Sequence, residues 1–99
     1  MLITAPRVVP GTGELAILEP GYVLVTDGRV AEVGRGAPPR RPDLALDTGY
    51  LVPGLIDLQV NGCFGVDLAA VDAAGWALVA RRLPETGTTA FLPTFVTPP

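Results

Sequence analysis

The chain holds one glutamine and one asparagine, Gln59 and Asn61, two residues apart at the end of the apolar run LVPGLIDLQVNG (51–62). If that run is a strand, alternation puts both carboxamides on one face, each offering a hydrogen-bond donor and an acceptor. At the C-terminal end of a parallel strand such a pair can line the mouth of a site, which is where parallel α/β folds bind their ligands. The same two amides can equally satisfy loop backbone groups as the strand turns out, because buried polar groups need partners whatever the function. Both readings stand on pattern alone. Neighbouring groups have simpler accounts. Asp57, a lone carboxylate before the pair, reads as a hydrogen-bonded structural group, and Asp67 as a loop cap. Cys63 has neither a second Cys nor any His with which to complete a metal set, so it reads as a small buried hydrophobe.

What is missing narrows the chemistry further. The 99 residues contain no His, no Lys and no Ser. No triad base, imidazole ligand, serine nucleophile, Schiff-base lysine or P-loop lysine can therefore come from this chain. Its catalytic and metal-ligating residues are expected to number none. The seven basic residues are all Arg against ten Asp and Glu, a net charge of −3 that argues against nucleic acid as a partner. A single Cys excludes an intramolecular disulfide, and MLITAP at the start has neither a basic segment nor a long apolar one. The expectation is a cytoplasmic protein without a membrane partner.

The elements that must position Gln59 and Asn61 follow from periodicity. Twelve Gly and eleven Pro imply short elements and many turns, while 48% hydrophobic residues exclude a disordered chain. Residues 1–49 read as short strands, the clearest signal being Asp27 and Gly28 between YVLVT (22–26) and RVAEV (29–33), a two-residue type I′ hairpin turn. GRGAPPRRP (34–42) reads as an exposed connection in which Arg40 and Arg41 are solvated. From Tyr50 the pattern changes to a strand expected to be buried on both faces. A helix follows, with Asp72 as N-cap, Trp76, Val79, Ala80 and Leu83 on its packed stripe, Pro84 in its last turn and Gly87 closing it. TTAFLPTFVT (88–97) is a second strand, giving one strand–helix–strand unit with parallel strands.

No charged residue follows Glu85, so the last strand expects cover on both faces that one helix cannot give. The reading is a truncated chain, of class α/β: a β-rich, β-sandwich portion over 1–49, then over 50–99 the first unit of an incomplete (β/α)8 TIM barrel. A closed barrel of this kind takes roughly 200 residues or more.

The lead PGLID before Gln59 resembles the first barrel strand of the amidohydrolase superfamily, in which a His-x-His metal pair usually follows. Its replacement by Gln59-Val60-Asn61, with GCFGVD (62–67) and TGTTAFLPTFVT (86–97), is similar to the N-acetylglucosamine-6-phosphate deacetylase family, and the hairpin YVLVTDGRVAEVG (22–34) to the β-sandwich portion ahead of the barrel. The resemblance implies a hydrolase that removes acetate from an amino-sugar phosphate with one divalent metal, zinc or iron. That metal's ligands, a Glu and two His, and the catalytic Asp belong to later strands. Gln59 and Asn61 would then line the pocket. This fragment would be inactive alone, hold no metal, and have as partners the remainder of its own chain and a further copy of itself. Two other readings are a cyclic-amide hydrolase of the same superfamily, against which Gln59 and Asn61 argue, and a non-enzymatic β-rich interaction module.

Overall fold

In the structure, a computed structural model describing residues 1–13 and 16–95, the turn at Asp27 and Gly28 takes the left-handed conformation at both positions, φ 52° and 72°. This is the backbone of a type I′ turn, and Gly28 adopts it without a Cβ penalty. The chain forms two compact units, Met1–Pro53 and Gly54–Pro99.

The first unit contains β1 (Leu2–Ala5), β2 (Arg7–Val8), β3 (Gly21–Thr26), β4 (Arg29–Arg35), β5 (Leu44–Ala45) and β6 (Tyr50–Leu51). Four of these form a mixed sheet in the order β4-β3-β1-β5, with β1–β3 and β3–β4 antiparallel and β1–β5 parallel. The other two pair in parallel, Arg7 with Tyr50 and Val8 with Leu51. Tyr50 and Leu51, read from sequence as opening the second segment, thus belong to the first unit, and the break falls between Pro53 and Gly54. Leu2, Ala5, Val8 and Tyr22 are its buried apolar residues.

The connection read as exposed over 34–42 begins later than expected. Gly34 and Arg35 still pair with Tyr22 and Gly21, so β4 runs to Arg35. Nor is Arg40 merely solvated: its Nη2 lies 2.7 Å from Asp43 Oδ2, which also accepts the Leu2 N–H at 2.7 Å. The Arg40 side chain, then the Leu2 amide, hold the Asp43 carboxyl at about 2, below its ordinary 3.8. A depressed carboxyl stabilises the fold above its ordinary value and loses that contribution as pH falls through the folded one. The β1–β5 edge is therefore expected to loosen between pH 3.8 and about 2. An NMR titration of Asp43 checks this: a carboxyl titrating at its ordinary value refutes it.

The second unit contains β7 (Leu55–Val60), β8 (Gly62–Cys63), β9 (Val66–Asp67), α1 (Ala73–Arg82) and β10 (Thr88–Pro93). Asp72 caps α1, its Oδ1 accepting the Gly75 N–H at 2.8 Å. Pro84 sits in the 3-10 turn Leu83–Thr86, where its missing N–H costs nothing, and Gly87 closes that turn at φ 84°. The strands β7 and β10 run parallel, Ile56 facing Ala90 and Val60 facing Pro93. Strand, helix and strand occur in the order the periodicity gave. Val96 and Thr97, assigned from sequence to the last strand, lie outside the described residues.

Two expectations are corrected here. Ala80 is exposed, because the packed stripe of α1 runs through Trp76, Val79 and Leu83 and turns away from residue 80. The strand expected to be buried on both faces is exposed from Leu55 to Gln59, and only Val60 is buried. The reason is coverage: among the described residues one strand and one short helix adjoin β7. The core they make, Val60, Leu68 and Val79 with Trp76 and Phe91 against it, sits over its C-terminal end.

Candidate functional site

β7 and the residue that follows it carry three polar side chains, Asp57, Gln59 and Asn61. A shallow concavity of about 400 Å³ is lined by Asp57, Gln59, Asn61, Cys63 and Phe64, together with Leu83, Thr86 and Thr88. Gln59 and Asn61 are both exposed. Asp57 is occupied locally, Oδ1 accepting the Gln59 N–H at 3.0 Å, and Asp67 Oδ1 accepts the Ala69 N–H at 2.9 Å to cap the 3-10 turn Leu68–Ala70. Cys63 is a half-buried free thiol packed against the Val60 core, as is Trp76. The structure thus gathers Gln59 and Asn61 in one concavity and gives Asp57, Asp67 and Trp76 local structural bonds or packing.

Two residues of this region were not singled out by sequence reading. Phe64 holds φ 53°, a left-handed conformation that is costly for a bulky residue, at the tip of the β8–β9 hairpin, with the Arg82 guanidinium 4.2 Å from its ring centroid. Thr94 follows β10 and accepts a bond from Asn61 through its carbonyl. Ending both parallel strands at the same level would have found Thr94, since Pro93 and Val60 are in register.

No group of three or more His, Cys, Asp or Glu able to hold a metal occurs among the described residues. These residues do not by themselves fit a metal centre. A larger groove of about 450 Å³ in the first unit is lined mostly by apolar side chains, among them Ile3, Val8, Val23, Val33, Leu51 and Pro53, with Thr12 as the polar side chain among the described lining residues. No described helix is long and apolar enough to cross a membrane.

No protein-family profile matches the chain. Individual proteins do. It is 42% identical over 86 residues to the N-acetylglucosamine-6-phosphate deacetylase of Rattus norvegicus, covering 84% of this chain and 19% of the rat protein. With the enzyme of the same name from Bacillus subtilis the identity is 33% over 87 residues, covering 85% and 22% respectively. Among solved structures, N-acetyl-D-glucosamine-6-phosphate deacetylase from Mycobacterium smegmatis, a mutant in complex with N-acetyl-D-glucosamine-6-phosphate, superposes with a TM-score of 0.87 and 33% identity over 99% of this chain and 25% of that one. This chain is homologous to part of the N-acetylglucosamine-6-phosphate deacetylases. The match is consistent with their amino-terminal portion, and the chain spans about a fifth of the length of the curated relatives it matches. The resemblance read from QVNG and FLPTFVT thus extends, at 33–42% identity, over more than four fifths of the chain.

Proposed function

We propose that this chain is the amino-terminal portion of a metal-dependent amide hydrolase that deacetylates N-acetylglucosamine 6-phosphate to glucosamine 6-phosphate and acetate. The observation that carries the reading is agreement at two levels: 42% identity with a named deacetylase over 84% of the chain, and a TM-score of 0.87 with another along 99% of it. In this reading residues 1–49 contribute to a β-sandwich, and β7, α1 and β10 open a (β/α)8 barrel. Parallel strands joined by a covering helix suit that architecture, and β7 ends where a barrel site would open.

Gln59 and Asn61 are pocket residues here, not metal ligands, because neutral carboxamides hold a divalent transition metal poorly compared with imidazole or carboxylate. The metal, zinc or iron, would be bound by residues outside this chain and would polarise the acetamide carbonyl. What the chain supplies is a hydrogen-bonding edge at the strand end, with Asp57 and Asp67 committed to shaping the backbone around it. A cytoplasmic setting and a homo-oligomer complete the proposal.

The test is kinetic. The protein extended to the length of its relatives is expected to release acetate from N-acetylglucosamine 6-phosphate in a metal-dependent manner, and no turnover with that sugar overturns the reading. In the extended protein Asn61→Ala is expected to lower turnover while bound metal, read by elemental analysis, stays near the unsubstituted level. Loss of stoichiometric metal would make residue 61 a ligand and refute its assignment to the pocket wall.

A further inference from the structure

Three segments of the second unit meet at Asn61. Its main-chain carbonyl accepts the Leu68 N–H at 2.9 Å, fixing the exit of the β8–β9 hairpin, while its Nδ2 donates to the Thr94 carbonyl at 3.3 Å. Beside that bond the Thr94 N–H donates to the Val60 carbonyl at 2.9 Å. Val60 and Pro93 are the last registered pair of β7 and β10, so the Asn61 side chain adds one rung beyond the end of the strand ladder. Only a donor can make that rung, since Thr94 presents a carbonyl, and an aspartate of the same shape would set oxygen against oxygen. Gln59 has no comparable tie: its carboxamide makes no hydrogen bond among the described residues, although its main-chain N–H is bonded to Asp57.

Resting on the deacetylase reading, we infer that the two carboxamides divide the work. Asn61 is a positioning residue whose Nδ2 pins the start of the segment after β10, and Gln59 is the member of the pair left free to meet a ligand. The pinned segment carries a second sign of a fixed placement. Thr94 Oγ1 is buried and has no hydrogen-bond partner among the described residues, so this clasp sets where an unspent hydroxyl points. A buried hydroxyl without a partner is unfavourable, which gives its orientation consequences for whatever packs or binds there.

The experiment compares the unsubstituted extended protein with Asn61→Asp, Asn61→Ala and Gln59→Ala. Each is read by steady-state kinetics on N-acetylglucosamine 6-phosphate and by amide hydrogen exchange. If Asn61 positions, both of its variants lower kcat by about tenfold or more while KM stays within about twofold, because a displaced segment spoils reacting geometry more than binding. Gln59→Ala raises KM. Exchange at the Thr94 amide accelerates roughly tenfold in the Asn61 variants while that of Phe91, deeper in the strand, is unchanged. An Asn61→Asp protein with unaltered kcat, or one in which only KM moves, overturns the inference. Should the unsubstituted protein show no deacetylation, the proposed function fails by itself, and the Thr94 exchange rate still decides the clasp: no acceleration in Asn61→Asp removes it.

Discussion

Gly62→Ala is expected to destabilise the extended protein by about 2–3 kcal/mol and to abolish most of its turnover, although residue 62 has no side chain with which to touch a substrate. The cause is a close approach of backbone to backbone. Gly62 opposes Asp67 in the β8–β9 hairpin, and a Cβ on it would fall on the Val66 carbonyl oxygen, well inside van der Waals contact. A flexible side-chain tip could move aside, but a carbonyl in a two-residue strand takes the hairpin with it. That hairpin already contains Phe64 at φ 53°, a conformation costing about 1–3 kcal/mol for a residue of this kind, so little strain can be absorbed at its tip. Its exit is Leu68, only 2% exposed and central to the Val60 and Val79 core, and Leu68 is bonded to Asn61. Displacing the hairpin thus disturbs core and site together. Gly65→Ala is the control: at φ 79° it meets nothing within 4 Å, so it pays only the left-handed penalty of about 1–2 kcal/mol. Urea unfolding of the three proteins separates the cases, and equal midpoints for Gly62→Ala and the unsubstituted protein would refute the argument.

How far such features can be read from residues alone depends on the distance over which the physics acts. The turn at Asp27 and Gly28, the Asp72 cap and the closing Gly87 are settled within four or five residues, by positive φ and by one side-chain bond to a nearby N–H. These were legible. So was the parallel order of β7 and β10, because a helix between two apolar runs leaves few other arrangements. Burial was not legible. An apolar strand states what it requires, not what adjoins it, and Ile56 and Leu58 remain 67% and 69% exposed. The pairing of Tyr50 and Leu51 with β2 was hidden for the opposite reason: the apolar run continues through them, and only Pro53 and Gly54 mark where the chain changes partners.

The site shows the same division. That Gln59 and Asn61 share a place at the strand end follows from their spacing, and both line one concavity. That they differ in bonding does not follow, because the partner of Asn61 lies 33 residues away and enters through its main chain, which carries no residue signature. Asp57 and Asp67 were readable as structural groups because their bonds are local, each to an amide two residues on. Gly62 stands in the QVNG run, yet the constraint on it, the Val66 carbonyl, appears only once the hairpin is folded.

The unmet requirement of the strands leads to the second large effect. The 99-residue chain by itself is expected to release no acetate and to hold no stoichiometric metal, and also to self-associate as its concentration rises. The chemical part rests on inventory: the chain has no His and one Cys, and its described residues contain no cluster of metal-binding groups. The physical part rests on surface. Leu55, Ile56, Leu58, Leu92 and Phe95 are each more than half exposed in the second unit. A side chain of this size is worth roughly 1.5–3 kcal/mol when fully buried, so covering several of them is comparable to the roughly 5–15 kcal/mol stability of a whole domain. Among the described residues the two strands β7 and β10 form a sheet of their own, which leaves a hydrogen-bonding edge beside this apolar face, and such edges template pairing with another chain. Sedimentation velocity of the chain across a range of concentrations should show mass increasing. Supplying the additional length that the relatives possess, as a second polypeptide, should suppress that association and restore turnover in the same titration. A folded monomer at high concentration would remove the physical part of the argument, and turnover by the chain alone with zinc or iron would remove the chemical part.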